Sequence, residues 1–168
     1  MSLRTLTLIL SAVILAAFLH TVTAAPTSSD INTILNAHNK VRAKHHAPAL
    51  KWSTKLATYA QNWSNRCQFQ HSSGPYGENL ALGYPDWNSV VNGWYSEVKN
   101  YNYNNPGFAS NTGHFTQIVW KATTEIGCGV KVCNNLGRGA KLYTCSYYVP
   151  GNMVGDNGKY FTQNVLRP

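Results

Sequence analysis

The sequence centres on the stretch Gly113-His114-Phe115-Thr116-Gln117-Ile118-Val119-Trp120-Lys121-Ala122-Thr123. From Phe115 to Trp120 the residues alternate between two faces, and a small, turn-forming run that ends at Gly113 precedes them. This period of two predicts a strand that is buried on much of both faces. His114 would stand at the first residue of that strand, as either a polar cap of the turn or a functional side chain.

The N-terminus has the features of a secretory signal peptide. Arg4 is its one charge, an apolar run from Leu6 to Leu19 follows, and Val22 and Ala24 occupy the two positions that define a cleavage site. The apolar run is too short to span a membrane. We therefore expect residues 1–24 to be a signal peptide and residues 25–168 to be a single secreted, extracellular domain.

The composition of the mature part favours an extracellular protein with anionic partners. Without Arg4, 13 Lys and Arg stand against 6 Asp and Glu, which gives a net charge of +7. Such a charge attracts anionic membrane surfaces or acidic glycans, whereas secretion argues against nucleic acid. The basic residues gather early and form either a solvated helix face or a docking face for a membrane or a receptor: Lys40, Arg42, Lys44, Lys51 and Lys55.

The first predicted helix carries a polar cluster on its buried face. Asp30 is a suitable N-cap, and the apolar period of the helix includes His38, which we interpret as a core histidine with hydrogen-bond partners. Asn39 and Arg42 lie beside it. We expect these three polar side chains to clamp the helix to neighbouring backbone.

A second and a third helix are predicted further along. Ser53 would cap the second, which runs to about Arg66 and contains Asn62, a candidate glycosylation site in an Asn-Trp-Ser sequon. The third would start at Asp86 or Asn88 and run to about Lys99. It places Glu97 three residues after Trp94, on the same face, so that an acid points inward.

An aromatic loop follows the third helix. Tyr101, Tyr103 and Phe108 are separated only by polar and turn-forming residues. Such a loop is either pinned to the core by its rings or offers an apolar surface to a ligand.

The C-terminal third predicts a β-hairpin with a disulfide between its strands. Strands over residues 125–133 and 141–149 would turn near Gly137, which brings Cys128 almost opposite Cys145. Four cysteines allow three pairings. We favour Cys128–Cys145, which leaves Cys67–Cys133 to tie the second helix to the sheet.

Four separated residues carry the candidate chemistry: His71 and Glu78 in a glycine- and proline-rich loop, Glu97 and His114. The two glutamates stand in apolar or glycine-rich surroundings, where an unpaired carboxylate would be costly to bury. We therefore expect the glutamates to pair with the histidines.

Four stretches resemble the signature motifs of the CAP superfamily, which comprises the cysteine-rich secretory, antigen five and pathogenesis-related-one proteins. They are residues 113–123, residues 142–153, His38-Asn39 with Arg42, and Gly77-Glu78-Asn79-Leu80. Four cysteines rather than six make the chain most similar to the fungal branch, which includes the sterol-exporting pathogen-related yeast proteins. The resemblance implies an α+β fold, a three-layer α-β-α sandwich with a central antiparallel sheet.

The resemblance also implies two kinds of site. The family's central cavity would contain His71 and His114 as ligands of a divalent metal such as zinc, with Glu78 and Glu97 supporting the imidazoles. Two histidines are fewer ligands than a structural zinc site uses, so we expect weak binding. The sterol-binding loop of the yeast relatives has the aromatic spacing of Tyr101, Tyr103 and Phe108, and some members bind fatty acids.

Three functions remain open at this point. The first is a monomeric secreted carrier of sterols or fatty acids, in lipid export, detoxification or host–pathogen interaction. The second is a defence or virulence effector that docks on a receptor or membrane. The third, a metal-dependent hydrolase, is the weakest, because the chain has no nucleophile in a recognisable motif and no HExxH helix. We expect no enzymatic activity.

Overall fold

The computed structural model describes residues 26–168, and the predicted signal peptide lies outside them. This part of the chain contains five α-helices and four strands. The helices are α1 (Ser28–Lys44), α2 (Thr54–Ser64), α3 (Trp87–Tyr95), α4 (Gly113–Val119) and α5 (Lys159–Asn164). The strands are β1 (Lys51–Trp52), β2 (Gly77–Leu82), β3 (Glu125–Val132) and β4 (Lys141–Tyr148).

The strands form one sheet in the order β1-β3-β4-β2, between two layers of helices. Helix α2 packs on one face against β3 and β4, whereas α1, α3 and α4 pack against one another on the other side. The predicted α-β-α sandwich is confirmed. The sheet is antiparallel from β3 to β2, and the exception is β1, whose two residues pair parallel to β3 at the edge.

The side chains of β4 point alternately to the two faces of the sheet. Tyr147 faces the α1 layer, where its hydroxyl lies 3.0 Å from Nε2 of His38. Thr144 faces the opposite way and accepts a 2.9 Å hydrogen bond from Ser64 of α2. Because side chains alternate along a strand, residues opposite Tyr147 belong to the α1 face and residues opposite Thr144 or Ser146 to the α2 face.

The predicted strand over residues 113–123 is wrong, because Gly113–Val119 is helix α4. All its residues from Phe115 to Val119 are buried, so this short helix has no exposed face and therefore no amphipathic period. Its N-cap residue, Thr112, makes no side-chain capping bond. The capping acceptor is instead Glu97, a residue distant in sequence, which receives the amides of His114 and Phe115.

The polar clamp predicted on α1 is present and fastens the segment that follows α4. Arg42 is fully buried and donates to the carbonyls of Pro48, Ile118, Trp120 and Thr123 at 2.7–2.9 Å. Burial lowers the pKa of Arg42 to about 10, which still leaves it protonated at neutral pH. Four carbonyl acceptors thus replace the water that the guanidinium loses on folding.

His38 is the predicted core histidine, with both ring nitrogens bonded. Nδ1 lies 2.8 Å from the Ile34 carbonyl and Nε2 lies 3.0 Å from the Tyr147 hydroxyl. Burial lowers the pKa of His38 to about 4, so the ring is neutral. The cap of α1 differs from the prediction: Thr27 is the N-cap and Asp30 is the third helical residue, and the two form a reciprocal capping box.

Both predicted disulfides are confirmed. Cys128 lies directly opposite Cys145 in the β3–β4 register and bonds to it. Cys67 follows α2 and bonds to Cys133 at the end of β3. No cysteine in the described part of the chain is free.

Candidate functional site

The first histidine–glutamate pair lies at the start of β2. Nδ1 of His71 is 2.8 Å from Oε1 of Glu78, which also accepts the Ser72 amide at 2.9 Å. The His71 side chain is 64% exposed and that of Glu78 only 6%. The sequence predicted a loop here, but residues from Gly77 onward form β2 by pairing with β4.

The two members of this pair shift each other's pKa. The hydrogen bond that His71 donates to Glu78 raises the pKa of His71 and outweighs partial burial, which lowers it. Burial by itself would raise the pKa of Glu78, but the hydrogen bonds from His71 and Ser72 prevail and lower it. Its second oxygen, Oε2, is buried and has no hydrogen-bond partner among the described residues. A buried carboxylate oxygen of this kind suits a water molecule or a cation.

The second pair lies at the start of α4. Nδ1 of His114 is 2.7 Å from Oε1 of Glu97, and the His114 ring stacks on Trp94 with 5.9 Å between ring centroids. Glu97 comes from the short 3-10 turn that extends α3, so the acid points inward as predicted. Burial opposes its ionisation, but the hydrogen bonds from His114 and Phe115 hold the pKa of Glu97 below its usual value.

The two pairs approach β2 from opposite faces. Glu78 lies opposite Ser146, on the α2 face of the sheet. The next residue, Asn79, faces the α1 layer and donates to the His114 carbonyl and the Tyr147 hydroxyl. Across residues 26–168, no three His, Cys, Asp or Glu side chains come together as a metal-binding group. Both predicted pairs form, but each as a separate unit.

A cavity of about 240 Å³ adjoins the first pair. Gln117 and Asn152 line it together with His71 and Glu78. Asn152 also donates to the Gly113 carbonyl and accepts from the Thr116 hydroxyl, so it joins the cavity lining to α4, the helix that carries His114. Neither Gln117 nor Asn152 was predicted as a site residue; Gln117 was placed on a strand, and Asn152 was included only in the motif over residues 142–153.

Each histidine separately has the arrangement of a metal ligand. With Nδ1–H donated to a carboxylate, a neutral imidazole presents the lone pair of Nε2. Neither His71 nor His114 has a hydrogen-bond partner at Nε2 within residues 26–168. Each ring is therefore oriented as a single imidazole ligand, and a metal bound there would need further ligands from water or from another side chain.

The aromatic loop is pinned at one end and exposed at the other. Tyr101 is 8% exposed and packs edge-on against Tyr103 and Phe115, and burial raises its pKa to about 12. Tyr103 is half-buried beneath the Arg167 guanidinium, 5.1 Å from the ring centre. Phe108 is 54% exposed. A cavity of about 340 Å³ runs along the loop between Tyr101 and Phe108, with asparagines in its wall.

The remaining predicted surface features lie on α1, β1 and α2. Asn62 is exposed on α2, whereas the sequon's Ser64 is buried and bonded to Thr144, so glycosylation of Asn62 stays a prediction. In the basic region Arg42 is buried in the clamp, and the lysines are exposed: Lys40, Lys44, Lys51 and Lys55. No helix within residues 26–168 combines the length and apolar character that crossing a bilayer requires.

The fold and site define a small, disulfide-bonded α+β domain with paired histidines and glutamates beside one edge strand. Residues 35–148 match the model of the CAP family, described as the cysteine-rich secretory protein family. The chain belongs to this family. Its two disulfides are consistent with an extracellular location.

Fungal relatives and a solved structure agree with this assignment. The chain is 45% identical over 145 residues to Repressed by EFG1 protein 1 of Candida albicans, which aligns with 80% of this chain and 53% of the relative. It is 47% identical over 139 residues to Protein PRY2 of Saccharomyces cerevisiae, over 80% and 40%. It thus spans about half or less of these relatives. The structure of Schistosoma mansoni venom allergen-like protein 4 aligns with a TM-score of 0.65 and 28% identity, over 82% and 94% of the two chains.

Proposed function

We propose that this protein is secreted and carries sterols or related small hydrophobic lipids outside the cell. The observation that supports the proposal is the aromatic loop over residues 101–108, which holds Phe108 out in solvent while Tyr101 and Tyr103 fix its base. The proposal includes no catalytic step.

In this proposal the Phe108 side chain contacts the lipid ligand. Covering a phenylalanine side chain with apolar ligand contributes about 1.5–3 kcal/mol. Because Phe108 is already exposed, the ligand gains this contact without breaking a packed core. Tyr103 is a poorer test position, since its ring also contacts Tyr101 and Arg167, so that its removal would disturb the loop itself.

The test is saturable binding of a labelled sterol to the purified secreted protein, with a fatty acid in parallel. Phe108→Ala is compared with Phe69→Ala, because Phe69 is also 54% exposed but lies in the loop that follows Cys67. A loss of about 1.5 kcal/mol corresponds to at least tenfold weaker sterol binding in Phe108→Ala. Phe69→Ala should match the wild type. Absence of saturable binding of either lipid by the wild type would refute the carrier function.

We further propose that His71 and His114 bind a divalent metal such as zinc weakly, with Glu78 and Glu97 orienting the imidazoles. What supports this is the Nδ1–carboxylate bond in each pair, together with the buried Oε2 of Glu78. The metal would supply positive charge to the cavity. The protein's own carboxylates would keep Nε2 of each ring available.

A further inference from the structure

Exposed large apolar side chains are unevenly distributed over the described residues. Nine such residues are at least partly exposed, and six of them belong to Phe108 and the segment 148–160. Val154 is the most exposed of all, at 70%. Scattered single residues need no explanation, but a local concentration marks an interaction surface. The six are Phe108, Tyr148, Val149, Met153, Val154 and Tyr160.

The loop that contains Phe108 lies directly against the segment 152–160. A side chain at Gly113 would meet the Phe108 ring at 3.1 Å and Nδ2 of Asn152 at 3.9 Å, so these two groups flank the same glycine. Gly158 packs so closely on the Pro106 carbonyl that no Cβ would fit. Four exposed apolar residues of this loop and segment are called the apolar rim below: Phe108, Met153, Val154 and Tyr160.

Cationic side chains border the apolar rim. Lys159 stands beside Tyr160 and is 3.4 Å from Asp156, an exposed pair that contributes little mutual attraction. Arg167 lies over Tyr103 and bonds Asn104 at 2.6 Å, in the loop that carries Phe108. Basic side chains around an apolar projection are the pattern of a peripheral membrane-binding surface.

We propose that the apolar rim docks on the surface of an anionic lipid bilayer. This inference rests on the proposed carrier function, since a carrier of poorly soluble lipid has to collect and deliver it at a bilayer. Phe108 belongs both to the ligand loop and to the apolar rim, so docking would bring the loop to the membrane. The rim side chains project from loops and from the first turn of α5, and exposed apolar side chains with basic neighbours suit a fluid lipid surface better than a protein partner.

The test is flotation of the purified secreted protein with vesicles of phosphatidylcholine alone and of phosphatidylcholine with phosphatidylserine. Val154→Asp is compared with Val132→Asp, because Val132 is 50% exposed but stands at the end of β3, outside the rim. We expect Val154→Asp to lower partitioning into anionic vesicles about tenfold, which is the effect of about 1.4 kcal/mol. Val132→Asp should stay within about twofold of the wild type. Equal partitioning of the two variants would overturn the proposal.

A second measurement separates this inference from the carrier function. Binding of dispersed sterol should be unchanged in Val154→Asp, whereas its transfer of sterol between anionic vesicles should slow in proportion to the lost partitioning. If the wild type binds dispersed sterol and Val154→Asp transfers it at the wild-type rate, docking by the rim is wrong and the carrier function stands. If the wild type binds no sterol, the carrier function fails, and flotation still decides whether the rim docks. Loss of flotation in Lys40→Glu but not in Val154→Asp would assign docking to the basic face of α1 instead.

Discussion

The two histidine–glutamate pairs use the same side chains and the same Nδ1–carboxylate bond, yet they differ in what else depends on them. Glu97 holds its histidine with one oxygen and the first amides of α4 with the other. Glu78 holds its histidine and the Ser72 amide with one oxygen and leaves the other unpaired. The histidines differ as well, with side chains 34% exposed at His114 and 64% at His71.

This difference separates a structural role from a binding role. The pair at α4 sits where a helix of seven residues begins without a local cap, so that helix depends on Glu97. The pair at β2 sits beside an open cavity and retains an unused acceptor. Similar hydrogen-bond lengths, 2.8 Å and 2.7 Å, therefore do not indicate equal contributions to stability.

Glu97→Ala should cause the largest change in stability. It removes the acceptor for two backbone amides and for the His114 ring, and the free energy of unfolding should fall by about 2–3 kcal/mol. Glu78→Ala, which removes the acceptor for one amide and an exposed ring, should cost about 1 kcal/mol. Urea unfolding at pH 7 measures both. If Glu78→Ala proves as destabilising as Glu97→Ala, the structural distinction between the pairs is wrong.

Substitutions in the two pairs should affect metal affinity to a similar extent, whereas their effects on stability should differ. If one zinc ion engages Nε2 of both rings, His71→Gln and His114→Gln should each weaken zinc binding at least about tenfold, since each removes one of two imidazole ligands. Isothermal titration at pH 7.5 measures this, with His46→Gln as the control because His46 is an exposed histidine outside both pairs. A loss in only one of the two variants would mean that the pairs act separately. Unchanged affinity in both would refute the metal site.

Long-range features were predicted from sequence where side-chain chemistry left few alternatives. The α-β-α layering follows from helical and β periodicity together with the family resemblance, and the register of the hairpin brought Cys128 opposite Cys145. Arg42 was predicted as part of a clamp because it lies beside His38, which the apolar period places on the buried face of the helix. The inward direction of Glu97 followed from its spacing to Trp94.

The wrong predictions concern helices and strands that are stabilised by residues distant in sequence. Helix α4 has no exposed face and takes its cap from Glu97, so local pattern and local capping signals both fail there. Strand β2 contains Gly77 and follows a glycine- and proline-rich loop, but six residues pair with β4. The positions of the two histidine–glutamate pairs relative to β2 also depend on the strand register, which the sequence alone does not give.

The smallest expected effect is a pH dependence confined to the exposed pair. Because the pKa of His71 is raised on folding, its contribution is complete below the ordinary value of 6.5 and is lost as pH rises through the folded pKa. Because the pKa of Glu78 is lowered, its contribution is present above the ordinary value of 4.5 and is lost as pH falls through the folded pKa. The stability difference between the wild type and His71→Gln should therefore be greatest between about pH 4.5 and 6.5.

Thermal unfolding from pH 4 to 8.5 checks this window, with His46→Gln again as the matched control. The amplitude should stay below about 1 kcal/mol, since the His71 ring is mostly exposed and water screens its charge. Added salt should reduce it further. A difference that grows steadily from pH 6 to 8 would have the wrong sign for a histidine stabilised in its charged form. In that case Glu78 would hold a neutral ring in the folded protein, and the two pairs would differ only in the backbone amides they bind.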